Sequence, residues 1–470
     1  MSHAPVEIAP SRAPGGLPPD APVPARLPIS RLIPSRAHAD VREVEGRQVV
    51  WVDMDPGDDV VRLSADTSTA IAIAAETANE HRLPLVITIS TGGVDILEGM
   101  PALEAWGRVT AAVAQLSGLV PTFAIVDGPA VSGPALLLGV VDFVVMTESS
   151  SAFVNGPEMV RQFTGVDIDI DELGGADKHA RHTGVPATVV ADRAAAFDAV
   201  ADLLAYLPDN LDEEPPRWPT TDPADRPCPE AGAHVPDSST GSYDVRLVAA
   251  EIVDEGSLYE VRERWAANLV TAFATIDGRP VGMVANQPMQ LAGTLDIPGS
   301  QKAARFVAFC DAFNLPLITL VDTPGFYPGK DLEWRGMIRH GAQLVFAYAR
   351  ASVPRIGVIL RKSYGGAYIV MDSKTMGNDL CLAWPWAELA VMGAGQAAAI
   401  LQRRATDEER AAFEQDYTER LLNPYVAAER GLVDAVIDPA ETRREIAAAL
   451  AALEDKRELL SGRKHGNTPL

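Results

Sequence analysis

The sequence predicts an α/β protein built as two tandem halves, each a mixed, mostly parallel sheet with crossover helices. Two observations predict it. The first is an internal repeat. Arg82-Leu83-Pro84-Leu85-Val86 returns as Asn314-Leu315-Pro316-Leu317-Ile318, and Thr91-Gly92-Gly93 as Thr323-Pro324-Gly325, both at an offset of 232. Val120-Pro121 returns as Val353-Pro354, and Val131-Ser132-Gly133 as Tyr364-Gly365-Gly366, both at an offset of 233. The second is that short apolar runs alternate with helical stretches inside each copy.

In chain order, residues 1–44 are rich in Pro, Ala and Arg without apolar periodicity and read as a disordered leader. Ordered structure is expected to begin at Val49-Val50-Trp51-Val52. The first half spans 45–206. In it a strand from Leu85 to Ile89 runs into a glycine turn, and a helix follows over about Pro101 to Leu116. A strand from Thr122 to Val126 comes next, then a small-residue turn from Gly128 to Gly133. Residues 207–241, crowded with Pro, Asp and Glu, read as a linker. The second half, 242–470, repeats the series with strands Leu317 to Val321 and Ile356 to Leu360, a helix from Trp334 to Ala349, and a turn from Ser363 to Gly366. The stretch from Asp407 to Leu460 reads as strongly helical.

Charge excludes one class of partner. Lys plus Arg number 40 against 64 Asp plus Glu, a formal charge of -24, and no basic run offsets a field that repels nucleic-acid phosphate. The three cysteines, Cys228, Cys310 and Cys381, are far apart and match neither a disulfide framework nor a zinc site. No signal-peptide pattern and no uncharged apolar run of spanning length occurs, so a soluble cytoplasmic protein without a membrane partner is expected.

Side-chain catalysts are scarce. No nucleophile elbow, P-loop or zincin pattern is present. His179 and His182 stand three apart as metal ligands would, but with no third ligand nearby they also read as surface or supporting histidines. The acidic run from Asp53 to Asp59 lacks the spacing and closing Glu of a calcium loop and reads as a solvated acidic turn. No metal is expected. The chain instead carries four glycine-bearing turns, each after a strand and before a helix. Glycine in such places simply permits a tight turn. Two converging turns also leave backbone N–H groups aimed at one point, with the helix dipole adding positive potential. That arrangement is an oxyanion hole, suited to an enolate formed from a thioester.

Further motifs carry a family resemblance. Gly156-Pro157-Glu158-Met159-Val160, Phe163-Thr164-Gly165 and Glu172-Leu173-Gly174-Gly175-Ala176 with His179 resemble the carboxyltransferase (β) subunit of biotin-dependent acyl-CoA carboxylases, of the acetyl-/propionyl-CoA type. So do Asn286-Gln287-Pro288, Lys302-Ala303-Ala304-Arg305, Val321-Asp322-Thr323-Pro324-Gly325-Phe326, Arg361-Lys362-Ser363-Tyr364-Gly365-Gly366-Ala367-Tyr368 and Ala390-Val391-Met392-Gly393-Ala394. The resemblance covers roughly residues 46–470 and is most specific from 265 onward. It implies two crotonase-like (ClpP/crotonase) domains, the first for acyl-CoA and the second for biotin.

The implied activity is transfer of CO2 from carboxybiotin, on a separate carrier subunit, to the α carbon of acetyl-CoA or propionyl-CoA, serving fatty acid or polyketide precursor biosynthesis. CO2 release leaves the biotin ureido nitrogen able to take the α-proton, and the enolate attacks CO2, so no protein side chain need be the base. By this resemblance Gly365, Gly366 and Ala367, with Gly325 and Phe326 opposite, hold the biotin ureido oxygen. Ser132 and Gly133, with Gly92 and Gly93 opposite, hold the thioester oxygen, and Ile369 lines the acyl pocket. In acetyl-type members that last position tends to be Ile, whereas propionyl-type members place Asp there. The implied partners are copies of the chain, as a hexamer made of three dimers whose active sites form at the dimer interface, and a biotin carboxylase/biotin carrier subunit.

Departures from the family fall on the acyl side. The family's Gly-Gly-Ala turn is Ser132-Gly133-Pro134 here, and proline removes one N–H. Asp95 stands where the family has Arg, and the loop after the first strand carries Asp53, Asp55, Asp58 and Asp59. Three further readings therefore stay open: another acyl carrier, decarboxylation, or a non-catalytic partner in a mixed hexamer.

Overall fold

The structure is a computed structural model and describes residues 36–54, 60–456, 458, 462 and 466–469. Two sheets carry the chain. The first holds β1 (Ala37–Val44), β2 (Arg47–Met54), β3 (Val61–Leu63), β4 (Leu85–Val94), β5 (Thr122–Val131), β6 (Phe143–Thr147), β7 (Ser151–Phe153) and β8 (Thr188–Val190). Its order is β1-β2-β4-β5-β6-β8, with β3 beside β4 and β7 beside β5, and only the β1–β2 pair is antiparallel.

The second sheet holds β9 (Tyr259–Glu260), β10 (Leu269–Ile276), β11 (Arg279–Asn286), β12 (Leu317–Thr323), β13 (Arg355–Tyr364), β14 (Leu380–Ala383), β15 (Glu388–Ala390) and β16 (Ala435–Val436). Its order is β9-β10-β11-β12-β13-β14-β16, with β15 beside β13. The hairpin β10–β11 matches β1–β2, and from β12 onward each strand has its counterpart in the first sheet.

The repeat extends to backbone detail. In the first sheet the β4–β5 ladder slips between Ile89↔Val126 and Thr91↔Ala130. In the second the β12–β13 ladder slips between Val321↔Ile359 and Thr323↔Ser363, the same two extra residues on the second strand. Strand β3 reappears only as a single bridge, Leu295↔Phe326, in the register of Leu63↔Val94. The long helices that follow, Ala65–His81 and Ile297–Ala312, are capped alike, by Ser64 accepting from the Thr67 amide and Asp296 from the Gly299 amide. Both give way to a residue in left-handed conformation, Arg82 at φ 56 and Asn314 at φ 58.

Four expectations change. The strand β1 starts at Ala37, inside the segment expected as a leader, because Ala37, Ala39 and Val41 alternate inward and β1 pairs along its full length with β2; residues 1–35 of that segment lie outside the described residues. The segment 207–241 is packed against both halves. The Trp218 amide and indole donate to Gly278 O (2.7 Å) and Ala205 O (2.8 Å), and Cys228 is buried. The helix expected from Trp334 breaks at Gly336 (φ 93) into Lys330–Trp334 and Met337–Arg350. The C-terminal stretch is several short helices with β16 between them.

The two sheets share one apolar core. Phe143 stacks on Phe123 at 5.8 Å and meets Phe273 and Phe309 of the other half edge-on at 5.8 and 4.7 Å. Nearby, the ammonium of Lys302 is buried and donates to the carbonyls of Trp265 (3.0 Å) and Leu269 (2.7 Å). Burial pulls its pKa down to about 7. Between that value and the ordinary one near ~10.4, the unfolded chain binds more protons, so this lysine makes stability rise with pH. We expect the melting temperature of the wild type to gain more between pH 7 and 10 than that of Lys302→Met. Parallel melting profiles across that range would contradict this.

Candidate functional site

Each half presents the C-terminal ends of its two central parallel strands, where loops of an open α/β sheet gather ligands. In the second half, β13 ends at Tyr364 and turns directly into the helix Gly365–Val370. Gly365 makes the turn at φ 59, and a β-carbon there would lie 3.2 Å from Val391 O. The N–H groups of Gly366 and Ala367 belong to the helix's first turn, which has no carbonyls of its own to reach.

Opposite, Gly325 (φ 139) follows β12. Its amide donates to Thr323 Oγ1 at 3.3 Å, and its carbonyl accepts from Leu295 N at 3.1 Å. The Phe326 ring is wedged against Gly366 and Gly341, whose β-carbons would stand 3.5 and 3.3 Å from it. Gly325, Phe326, Gly365, Gly366 and Ala367 are therefore neighbours, as the sequence reading required. Beside them opens a cavity of about 560 Å³, lined by Gly365, Gly366, Ile369, Val391 and Leu421 among others. Tyr364, Glu388 and Lys362 border an adjoining hollow. Burial, and then Glu388 in contact with the phenol, push the Tyr364 hydroxyl up, while burial pulls Lys362 down.

The first half repeats the geometry with different chemistry. The Gly93 amide donates to Thr91 Oγ1 at 3.1 Å, the counterpart of Gly325 on Thr323. Gly93 (φ 101) faces the other turn, since a β-carbon on it would lie 3.3 Å from Val131 O and 3.9 Å from Ser132 Cβ. Gly92 is packed beneath Val60. Gly133 begins the helix Gly133–Leu137 and lies against Trp106, whose Nε1 would be 2.7 Å from a β-carbon there. The four residues named for this turn pair thus come together. Two of their amides are already engaged: that of Ser132 donates to Phe153 O at 2.9 Å and that of Gly93 to Thr91 Oγ1, so neither is a free donor.

Other candidates resolve differently. Nε2 of His179 meets Ala152 O at 2.7 Å and Nδ1 meets Thr183 Oγ1 at 2.8 Å, so both nitrogens are engaged locally. Asp53 pairs with Arg42 (2.7 Å) and Arg193 (2.6 Å) and is not a solvated turn residue. Asp55, Asp58 and Asp59 lie outside the described residues.

Sequence reasoning missed the support under the second turn. The buried Asp322 carboxylate accepts from Tyr243 OH (2.9 Å), Arg361 Nε (3.0 Å) and the Lys362 amide (3.2 Å). Arg361 also donates to Ser238 O at 2.9 Å and stacks over Tyr243 at 5.1 Å. Burial, and then the Asp322 charge, raise the Tyr243 hydroxyl pKa. In the first half the same two places hold Ser90 and Gly128, where a β-carbon on Gly128 would strike Ser90 Oγ at 2.4 Å. The sequence signal was an Asp and an Arg at repeat positions that are small in the other copy.

The model of the carboxyl transferase domain family matches residues 39–468. The propionyl-CoA carboxylase beta chain of Saccharopolyspora erythraea is 46% identical over 406 residues, covering 82% of this chain and 74% of its own. The methylmalonyl-CoA carboxyltransferase 12S subunit of Propionibacterium freudenreichii subsp. shermanii is 44% identical over 409 residues, covering 86% and 78%. The transcarboxylase 12S crystal structure, a hexamer with hydrolysed methylmalonyl-coenzyme A bound, superposes with a TM-score of 0.91 at 40% identity, covering 95% of this chain and 90% of that one.

Proposed function

Since the chain belongs to the carboxyl transferase domain family, we propose that it moves a carboxyl group from carboxybiotin, borne by a separate carrier subunit, to the α carbon of a short acyl-CoA. The observation that carries this reading is the duplicated pair of glycine segments. In each half one opens a helix at the end of a central strand, at Gly133 and Gly365. The other lies at the end of the neighbouring strand, Gly93 in the last residues of β4 and Gly325 just past β12.

The second-half turn suits a biotin ureido ring. Gly365 and Gly366 leave open a cradle that side chains would fill, a cavity of about 560 Å³ adjoins it, and Phe326 supplies an apolar wall. Bound as carboxybiotin, the cofactor supplies CO2 and a nitrogen able to accept the α-proton. The amides of Gly366 and Ala367, with Gly325 and Phe326 opposite, hold the ureido oxygen. The Gly133 amide, with Gly92 and Gly93 opposite, holds the thioester oxygen as charge develops on it, which is where such a donor lowers a barrier most.

Substrate and cofactor turns lie in different halves of one chain, and a face-to-face pairing of two copies would bring them together. Exposed apolar side chains beside both turns support such pairing: Ile96, Leu97 and Met100 near the first, Trp334, Ile338 and Val391 near the second. A trimer of such dimers is the assembly proposed. Among the described residues no helix is long and apolar enough to cross a membrane.

The test is carboxylation of acetyl-, propionyl- and butyryl-CoA by the chain assembled with its biotin-carrying and biotin carboxylase partners. No product from any of the three would defeat the proposal. The same assay reads Ile369, which lines the cavity beside Gly366 and is half exposed. An aliphatic wall needs no hydrogen-bond partner, whereas a carboxylate there must find one. We expect acetyl-CoA to be used at least as well as propionyl-CoA, and Ile369→Asp to shift the kcat/KM ratio toward propionyl-CoA. One methylene is worth about 1–3 kcal/mol, so the shift is a preference. A strong wild-type preference for propionyl-CoA that survives Ile369→Asp would remove this residue from the selectivity.

A further inference from the structure

The two turns that open the short helices have equivalent backbones and unequal residues. In the second half glycine holds the first place, Gly365 at φ 59. In the first half a serine does, Ser132 at φ 66 and ψ -123. A side chain at positive φ is strained where glycine is not, and the internal copy shows that glycine serves this turn. Strain of this kind at an exposed strand-to-helix corner points to a use for the side chain.

Three further observations say which use. The Ser132 amide is occupied, donating to Phe153 O at 2.9 Å. Pro134 stands where the other half has Ala367, so the N–H available there is missing here. The first turn is thus poorer in amide donors than its twin, with Gly133 left. Meanwhile Ser132 is exposed, its Cβ faces Gly93 across the turn, and its hydroxyl has no hydrogen-bond partner among the described residues.

We infer that the Ser132 hydroxyl replaces the amide lost at Pro134 and donates, with the Gly133 N–H, to the thioester oxygen of the acyl substrate. This rests on the carboxyl transfer proposed above. No bond is made or broken at Ser132. Its proton stays on Oγ, and the hydrogen bond strengthens as negative charge gathers on the substrate oxygen. Ser132 is then a catalytic residue, and one that the other half of the chain does without.

Alanine keeps the β-carbon and its strain and removes only the hydroxyl; glycine removes both. The experiment measures kcat, KM and melting temperature for wild type, Ser132→Ala and Ser132→Gly in the assembled carboxylase. It adds binding of a nitronate analogue of the acyl-CoA, whose charged oxygens mimic the enolate. We expect both variants to lose about 10²-fold in kcat, the scale of one oxyanion donor. KM should stay near the wild-type value, and the analogue should bind more weakly by a comparable factor. Ser132→Gly should also melt higher than wild type. A purely structural serine predicts the opposite for Ser132→Gly, full or improved activity, and that result overturns the inference. Activity kept by Ser132→Ala but lost by Ser132→Gly also overturns it, since the β-carbon would then be what matters. A wild type that neither carboxylates an acyl-CoA nor binds the analogue would instead sink the proposed function, and this inference with it.

Discussion

Gly366→Val is expected to lower carboxyl transfer by about 10²–10³-fold while leaving the fold intact. Gly366 is not in the left-handed region, so a β-branched residue meets no backbone penalty there of the kind Gly365 would impose at φ 59. A β-carbon at 366 would lie 3.5 Å from Phe326 Cε2, an ordinary contact, so Gly366→Ala should fold and keep part of the activity. The γ-methyls of Val reach further. They meet the Phe326 ring on one side and the mouth of the cavity on the other, where the donors of Gly366 and Ala367 need an unobstructed approach. The loss should therefore be graded, Ala then Val, with unchanged circular dichroism and a similar melting temperature. Normal turnover by a folded Gly366→Val protein would take this turn out of the site.

How much of this was readable beforehand follows from what each feature depends on. The repeat was legible because a parallel strand–turn–helix unit places its Gly, Pro and apolar residues at fixed intervals, and the landmarks at 91–93 and 323–325 sit in the same slipped ladders. The first strand was hidden because its inward residues are Ala37, Ala39 and Val41, two of them too small to stand out beside a Pro- and Ala-rich stretch. The ordered path of 207–241 depends on contacts such as Trp218 with Gly278 and Ala205, far along the chain, that no local pattern announces. The glycine turns pointed to the site, but the direction of an individual N–H is set by φ and ψ. Hence Ser132 lies beside Gly93, as the repeat suggests, while the direction of its amide, toward Phe153 O, had no signal in the sequence. The residues around Asp322 were visible as part of a motif, yet their role needed Tyr243 and Ser238, some eighty residues earlier, to be seen beside them.

Removing the Asp322 carboxylate should be among the most destabilising single changes in the second half. Its side chain and that of Arg361 are 2% and 5% exposed, and they pair at 3.0 Å beneath the turn. In Asp322→Ala the guanidinium keeps its cost of burial and loses its partner, which is worth about 3–5 kcal/mol. The Tyr243 hydroxyl and the Lys362 amide are left without their acceptor as well. For a chain of 470 residues that corresponds to a melting temperature lower by about 3–5 °C. Activity should fall too, because the carboxylate holds the end of β13 two residues before Tyr364, from which the glycine turn is hung. The pair variant Asp322→Ala/Arg361→Met separates the causes. It buries no lone charge, so it should recover much of the stability lost by the single change, yet it lacks the tie to Lys362 and should remain slow. A single variant that melts within a degree or two of wild type would mean the ion pair does not hold the turn. A double variant with full activity would mean that the strand end needs no such anchor.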